Sequence, residues 1–71
     1  MKEKLEQKKT VGLKIREARQ VLNRNEEWLG VMVGLRGGTI RRIETGLTSP
    51  KLCDLEKIAE ALEVPIGELV K

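Results

Sequence analysis

The sequence predicts an all-α fold, a compact bundle of five short helices, and three observations carry that prediction. Apolar residues recur at helical spacings of three and four along most of the chain. The 71 residues hold one aromatic side chain, Trp28, so the core is built from Leu, Ile, Val and Ala, which suits short helices better than a sheet. Glycine and proline at Gly34, Gly46, Pro50 and Pro65 divide the periodic stretches from one another. A chain of this length makes one domain and buries only roughly 60% of the surface it exposes when unfolded.

Residues 1–9 form a charged leader with four lysines, two glutamates and, after Met1, only Leu5 as an apolar residue. Two readings stand for it: a solvated, frayed terminus, or a basic arm that tracks a phosphate backbone. The domain proper covers residues 10–71. Thr10 caps a first helix whose apolar positions Val11, Ile15, Ala18 and Leu22 step by four, three and four, ending near Asn23. A second helix starts at one of two asparagines: Asn23, which with Glu26 resembles a capping box, or Asn25. It runs through Leu29 and Val33 to a glycine stop at about Gly34. Gly30 inside it costs roughly 1 kcal/mol relative to alanine, which is explained if another helix passes very close.

The third helix lies within Gly34 to Gly46, with Ile40 and Ile43 on a buried face and Arg36, Arg41 and Arg42 outside. Gly46 ends it. Ser49 and Pro50 read as an N-cap followed by proline at the first position of a fourth helix. Its stripe is Leu52, Leu55, Ile58, Ala59 and Leu62, with Asp54, Glu56, Lys57 and Glu60 facing water. Pro65 restarts the chain into a last turn or two, Ile66 to Val70.

Charge is uneven along the chain. Residues 1–46 carry eleven Lys and Arg against six Glu, a balance of +5, while residues 47–71 carry three basic against five acidic side chains, a balance of −2. That asymmetry is the footprint of a chain that meets a polyanion on one side. With no histidine and a single cysteine, Cys53, the sequence excludes an internal disulfide, a Cys/His zinc site and any histidine-dependent catalytic triad. The longest uncharged stretch, Trp28 to Leu35, is too short to span a bilayer, and the lysine-rich start lacks the apolar run of a signal peptide. Cys53, among the outward residues of the fourth helix, reads as a bystander thiol.

Two helices joined by a tight glycine-containing turn suggest a helix-turn-helix. The ordered set is Ile15-Arg16, Arg19, Glu27, Leu29, Gly34, Thr39-Ile40, Ile43-Glu44 and Gly46, continued by Pro50, Leu52, Leu55, Lys57-Ile58-Ala59, Ala61-Leu62 and Glu68-Leu69. It resembles the lambda-repressor-like, Cro/CI-type (XRE) helix-turn-helix family over about residues 10–70. The phage repressors of that family are standard examples of the motif.

The resemblance implies that Leu35 to Thr45 is a recognition helix for the DNA major groove. Arg36, Gly37, Gly38, Thr39, Arg41, Arg42 and Thr45 are then the DNA-binding positions. Arg42 is set for base readout, since an arginine pairs bidentately with guanine, Arg41 for phosphate, and Thr45 for phosphate. Arg19 and Glu44 match an internal ion pair.

Where the chain departs from its relatives, it does so at Gly37 and Gly38, which carry no reading side chains. Either the backbone approaches the groove very closely there, or the start of the helix is loosely formed until DNA orders it. Glu26 stands where relatives place glutamine against phosphate. A carboxylate is repelled there, although the helix dipole favours it, which leaves backbone amides to serve the contact. Trp28, Val31 and Met32 form an apolar triplet that either enlarges the core against the leader or first helix, or offers a partner surface.

The expected function is a sequence-preferring double-stranded DNA-binding regulator, a repressor acting by operator occupancy, without enzymatic chemistry or cofactor. It is expected to be cytoplasmic and nucleoid-associated, and of prokaryotic, phage or plasmid origin. A homodimer is expected, because one short helix reads few base pairs, with Ile66, Leu69 and Val70 as its surface. The length is expected to leave no room for a separate ligand-binding or dimerisation domain. The alternative is a protein-interaction module, an antitoxin or phage or plasmid adaptor, whose protein partner docks on Trp28, Val31 and Met32.

Overall fold

A computed structural model describes residues 10–70, and the charged leader assigned to residues 1–9 lies outside them. Five helices follow one another: α1 (Val11–Val21), α2 (Glu26–Val33), α3 (Gly37–Thr45), α4 (Leu52–Leu62) and α5 (Ile66–Val70). Among the described residues there is no strand. Helix α2 packs most extensively on α3, while α1 packs on α3, α4 and α5. Helix α4 packs on α2 and α5.

The core is aliphatic, as the composition requires. Ile15, Leu29, Ile40 and Ile58 are fully buried, one from each of the first four helices, and Leu69 closes the cluster from α5. Each fully buried aliphatic side chain stabilises the fold by about 1.5 to 3 kcal/mol relative to exposure. Leu69 therefore cannot present a dimer surface, and Ile66 is half-buried against the same core. Of the three α5 residues expected at such a surface, only Val70 is exposed.

The first four helices end alike. Asn23, Gly34, Gly46 and Glu63 adopt the left-handed conformation, with φ of 62°, 80°, 86° and 63°. The following amides of Arg24, Leu35, Leu47 and Val64 donate to the carbonyls of Arg19, Gly30, Arg42 and Ala59. This is the Schellman arrangement, which satisfies carbonyls that the helix leaves open.

The helix starts resolve one choice that the sequence leaves open and depart from the sequence reading in two places. Asn25, not Asn23, caps α2, its side chain accepting from the Trp28 amide at 2.8 Å. Asn23 serves instead as the left-handed residue that reverses the chain after α1, so the Asn23–Glu26 capping box does not form. Helix α4 is capped by Lys51 rather than Ser49. Pro50 is half-buried and borders a depression with Gly12, Ile43 and Leu55, and it precedes the cap instead of opening the helix. Leu52, placed on the apolar stripe of α4, is 66% exposed because it is the first residue of that helix. Helix α3 begins at Gly37, two residues after Leu35, with Arg36 as its N-cap. The cap of α1 lies at Thr10, whose hydroxyl oxygen accepts from the Leu13 amide at 3.1 Å.

Candidate nucleic-acid interface

Helix α3 is fixed from below by Ile40, Ile43 and Glu44, all buried. Gly38, Arg42 and Thr45 fall at i, i+4 and i+7, which puts them on one outward stripe, and all three are exposed. Arg36 and Arg41 are exposed beside that stripe. Thr39 is half-buried, its amide bound to the Arg36 carbonyl at 3.0 Å. The Thr45 hydroxyl donates back to the Arg41 and Arg42 carbonyls, at 2.9 and 3.3 Å, so in the free protein its proton is engaged within the helix.

The anchor of α3 is an ion pair. Arg19 Nε donates to Glu44 Oε2 at 2.8 Å and its Nη2 to Oε1 at 2.9 Å, a bidentate pair with side chains only 9% and 2% exposed. The third donor, Nη1, reaches the Arg24 carbonyl at 2.7 Å. One guanidinium thus ties α1, the turn before α2 and the end of α3 together. The hydrogen bond to Glu44 raises the Arg19 pKa above its ordinary value despite burial, helped by the charges of Glu44 and Glu26.

Close approach of backbone completes the placement. A Cβ on Gly12 would collide with the carbonyl oxygen of Ile43 and lie 2.6 Å from that of Glu44, so α1 touches the last turn of α3 directly. A Cβ on Gly30 would collide with the Leu35 carbonyl oxygen and lie 3.1 Å from the Arg36 carbonyl carbon. What passes close to Gly30 is therefore the turn into α3 and the first residue of that helix, Gly37, whose nitrogen would lie 3.2 Å from the same Cβ. The two glycines of α3 differ from each other. A Cβ on Gly37 would sit 2.9 Å from Glu27 Cγ, while one on Gly38 would meet nothing within 4 Å.

Arg41 is engaged as well, its Nε lying 3.3 Å from Glu26 Oε1 with the arginine side chain 72% exposed. The carboxylate at Glu26 is thereby balanced by a cation from α3. The apolar triplet on α2 does not form one surface. Trp28 is half-buried against the core under the Arg24 guanidinium, which lies 5.1 Å from the ring centroid. Val31 and Met32 remain exposed, at 80% and 54%. Cys53 is exposed and free.

Gly12 and Glu27 carry more than sequence reasoning gave them. Gly12 could have been flagged by the argument used for Gly30, a glycine inside a helix that requires a close neighbour. Glu27 stood in the sequence only as one residue of the family pattern, because its contact with Gly37 crosses from one helix to the next and leaves no periodic signal.

A buried clamp, a left-handed glycine turn and an outward basic helix define the helix-turn-helix class, and the helix-turn-helix family model matches residues 15–69. The chain belongs to that family. Among solved structures it is similar to the P22 c2 repressor in complex with a synthetic operator, at 30% identity and a TM-score of 0.86, covering 90% of this chain and 97% of that one. The solution structure of the P22 c2 repressor DNA-binding domain is also 30% identical, with a TM-score of 0.82 and coverage of 86% and 80%. The restriction-modification controller protein C.AhdI from Aeromonas hydrophila is 29% identical, with a TM-score of 0.79 and coverage of 83% and 86%. Comparison with curated protein sequences gives no match. No helix among the described residues is long and apolar enough to cross a membrane.

Proposed function

We propose that this protein is a double-stranded DNA-binding transcriptional regulator that acts as a repressor by occupying its operator. The carrying observation is the outward stripe of α3, Gly38, Arg42 and Thr45 flanked by Arg36 and Arg41, on a helix clamped from behind by a buried ion pair. Similarity to a repressor solved on its operator supports the same reading. Arg42 reads guanine through its paired donors, Arg36 stands at the groove edge, and Arg41 meets phosphate. Thr45 meets phosphate once its hydroxyl turns away from the helix carbonyls. Two copies bind half-sites about 34 to 36 Å apart, since one nine-residue helix spans few base pairs.

Exposed Val31 and Met32 on α2 support a second role, contact with a protein partner. Titration of duplex DNA at several salt concentrations separates the two. DNA binding predicts that log affinity falls with log salt at a slope of roughly 0.9 per phosphate contacted. No binding to any duplex at low salt would reject the regulator and leave the interaction module.

A further inference from the structure

The two glycines at the start of α3 leave no side chains of their own, and the structure shows what occupies the space instead. Gly37 abuts Glu27 of α2: an added Cβ would lie 2.9 Å from Glu27 Cγ and 3.4 Å from its Cα. Gly38 is exposed and open, with nothing within 4 Å. Glu27 borders the shallow depressions on both sides of this glycine pair, one shared with Glu26 and Arg41, the other with Leu35 and Arg36. An exposed carboxylate from α2 thus stands beside the bare first turn of α3.

We propose that Glu27 is a specificity-determining residue, reading a cytosine in the major groove from α2 in place of the side chains missing at positions 37 and 38. This inference rests on the DNA-binding reading above. A carboxylate only accepts hydrogen bonds. Phosphates repel it, and so do the N7 and O6 acceptors of guanine. The major groove offers two base-edge donors, cytosine N4 and adenine N6; the adenine amine lies beside the N7 acceptor, which repels a carboxylate, so cytosine is the base a glutamate accepts from. Gly37 makes room for the Glu27 stem, and Gly38 lets the base edge come in without a side chain in the way. Arg42, one turn along the stripe from Gly38, supplies only donors and takes guanine. The Glu26–Arg41 pair keeps a second carboxylate beside the site balanced.

The test is selection of bound duplexes from a random pool with the full chain, as wild type, Glu27→Gln and Glu27→Ala. Wild type enriches cytosine at one position of each half-site. Glu27→Gln moves that position toward adenine, which glutamine pairs bidentately, and Glu27→Ala flattens it, the cytosine preference falling roughly fivefold or more with other positions retained. Glu27 is exposed, and circular dichroism checks that both variants keep their helices. An enriched site whose base preferences are the same in all three proteins, with affinity lowered uniformly or not at all, overturns the proposal and leaves DNA binding standing. A wild-type chain that enriches no sequence while still binding duplex overturns base reading by Glu27 as well. Failure to bind any duplex overturns the DNA-binding reading itself.

Discussion

The Arg19 guanidinium donates to both oxygens of Glu44 and to the Arg24 carbonyl, so all its hydrogen bonds depend on three segments holding their places. A pair this buried is costly to break from one side, because the surviving charge stays desolvated. Removing one partner costs about 3 to 5 kcal/mol, a large share of the roughly 5 to 15 kcal/mol that stabilises a typical domain. Glu44→Ala should therefore lower the thermal midpoint by more than about 12 °C, at about 4 to 8 °C per kcal/mol for a domain of this size. A loss under about 4 °C would rank the pair with exposed surface pairs. Because the Arg19 pKa is raised, the contribution of the pair on the alkaline side is complete below the ordinary guanidinium range and is lost only as pH climbs through the raised value. The pairing of residues 25 positions apart has no periodicity to announce it. It came into the sequence reading through family resemblance, whereas the burial of Ile15, Ile40 and Ile43 was legible from helical spacing alone.

At the level of elements, all five helices were legible, because a stripe of aliphatic residues at spacings of three and four is a direct imprint of the buried face. Their ends were less so. Asn23 and Asn25 are chemically equal candidates for a cap, and only the reversal of the chain after α1 assigns one to the left-handed turn and the other to α2. Ser49-Pro50 has the local chemistry of a helix start, but the chain is still extended at Lys51 and α4 begins only at Leu52. Gly37 and Gly38 look identical in sequence and are not so in space. Helix α3 is formed from Gly37 onward, and Gly38 costs it propensity with no packing in return. Gly38→Ala should raise stability by roughly 0.5 to 1 kcal/mol, and Gly37→Ala should gain less because Glu27 must shift. Equal gains in urea titrations would mean that the approach of Glu27 to Gly37 imposes no constraint. No gain at Gly38 would mean that the first turn of α3 is unformed in the free protein.

Across the whole molecule, the core and the interface are two faces of the same helix. Ile40, Ile43 and Glu44 hold α3 to α1 and α2, and the residues between them in the helical cycle point outward. Basic residues concentrate in the first 46 positions and acidic ones beyond, so α3 belongs to the cationic part of the chain. Exposed Val31 and Met32 stand on α2, and exposed Leu52 begins α4, all outside the α3 stripe. On the function proposed here, α3 and the start of α2 are the face that meets DNA. Amide chemical shifts of the labelled protein, followed while duplex DNA is added at low salt, test it directly. The largest shifts should fall at Arg36 to Thr45 and at Glu26 and Glu27, with α4 and α5 little changed. Shifts concentrated at Met32 and along α4, with Arg36 to Thr45 unmoved, would contradict it.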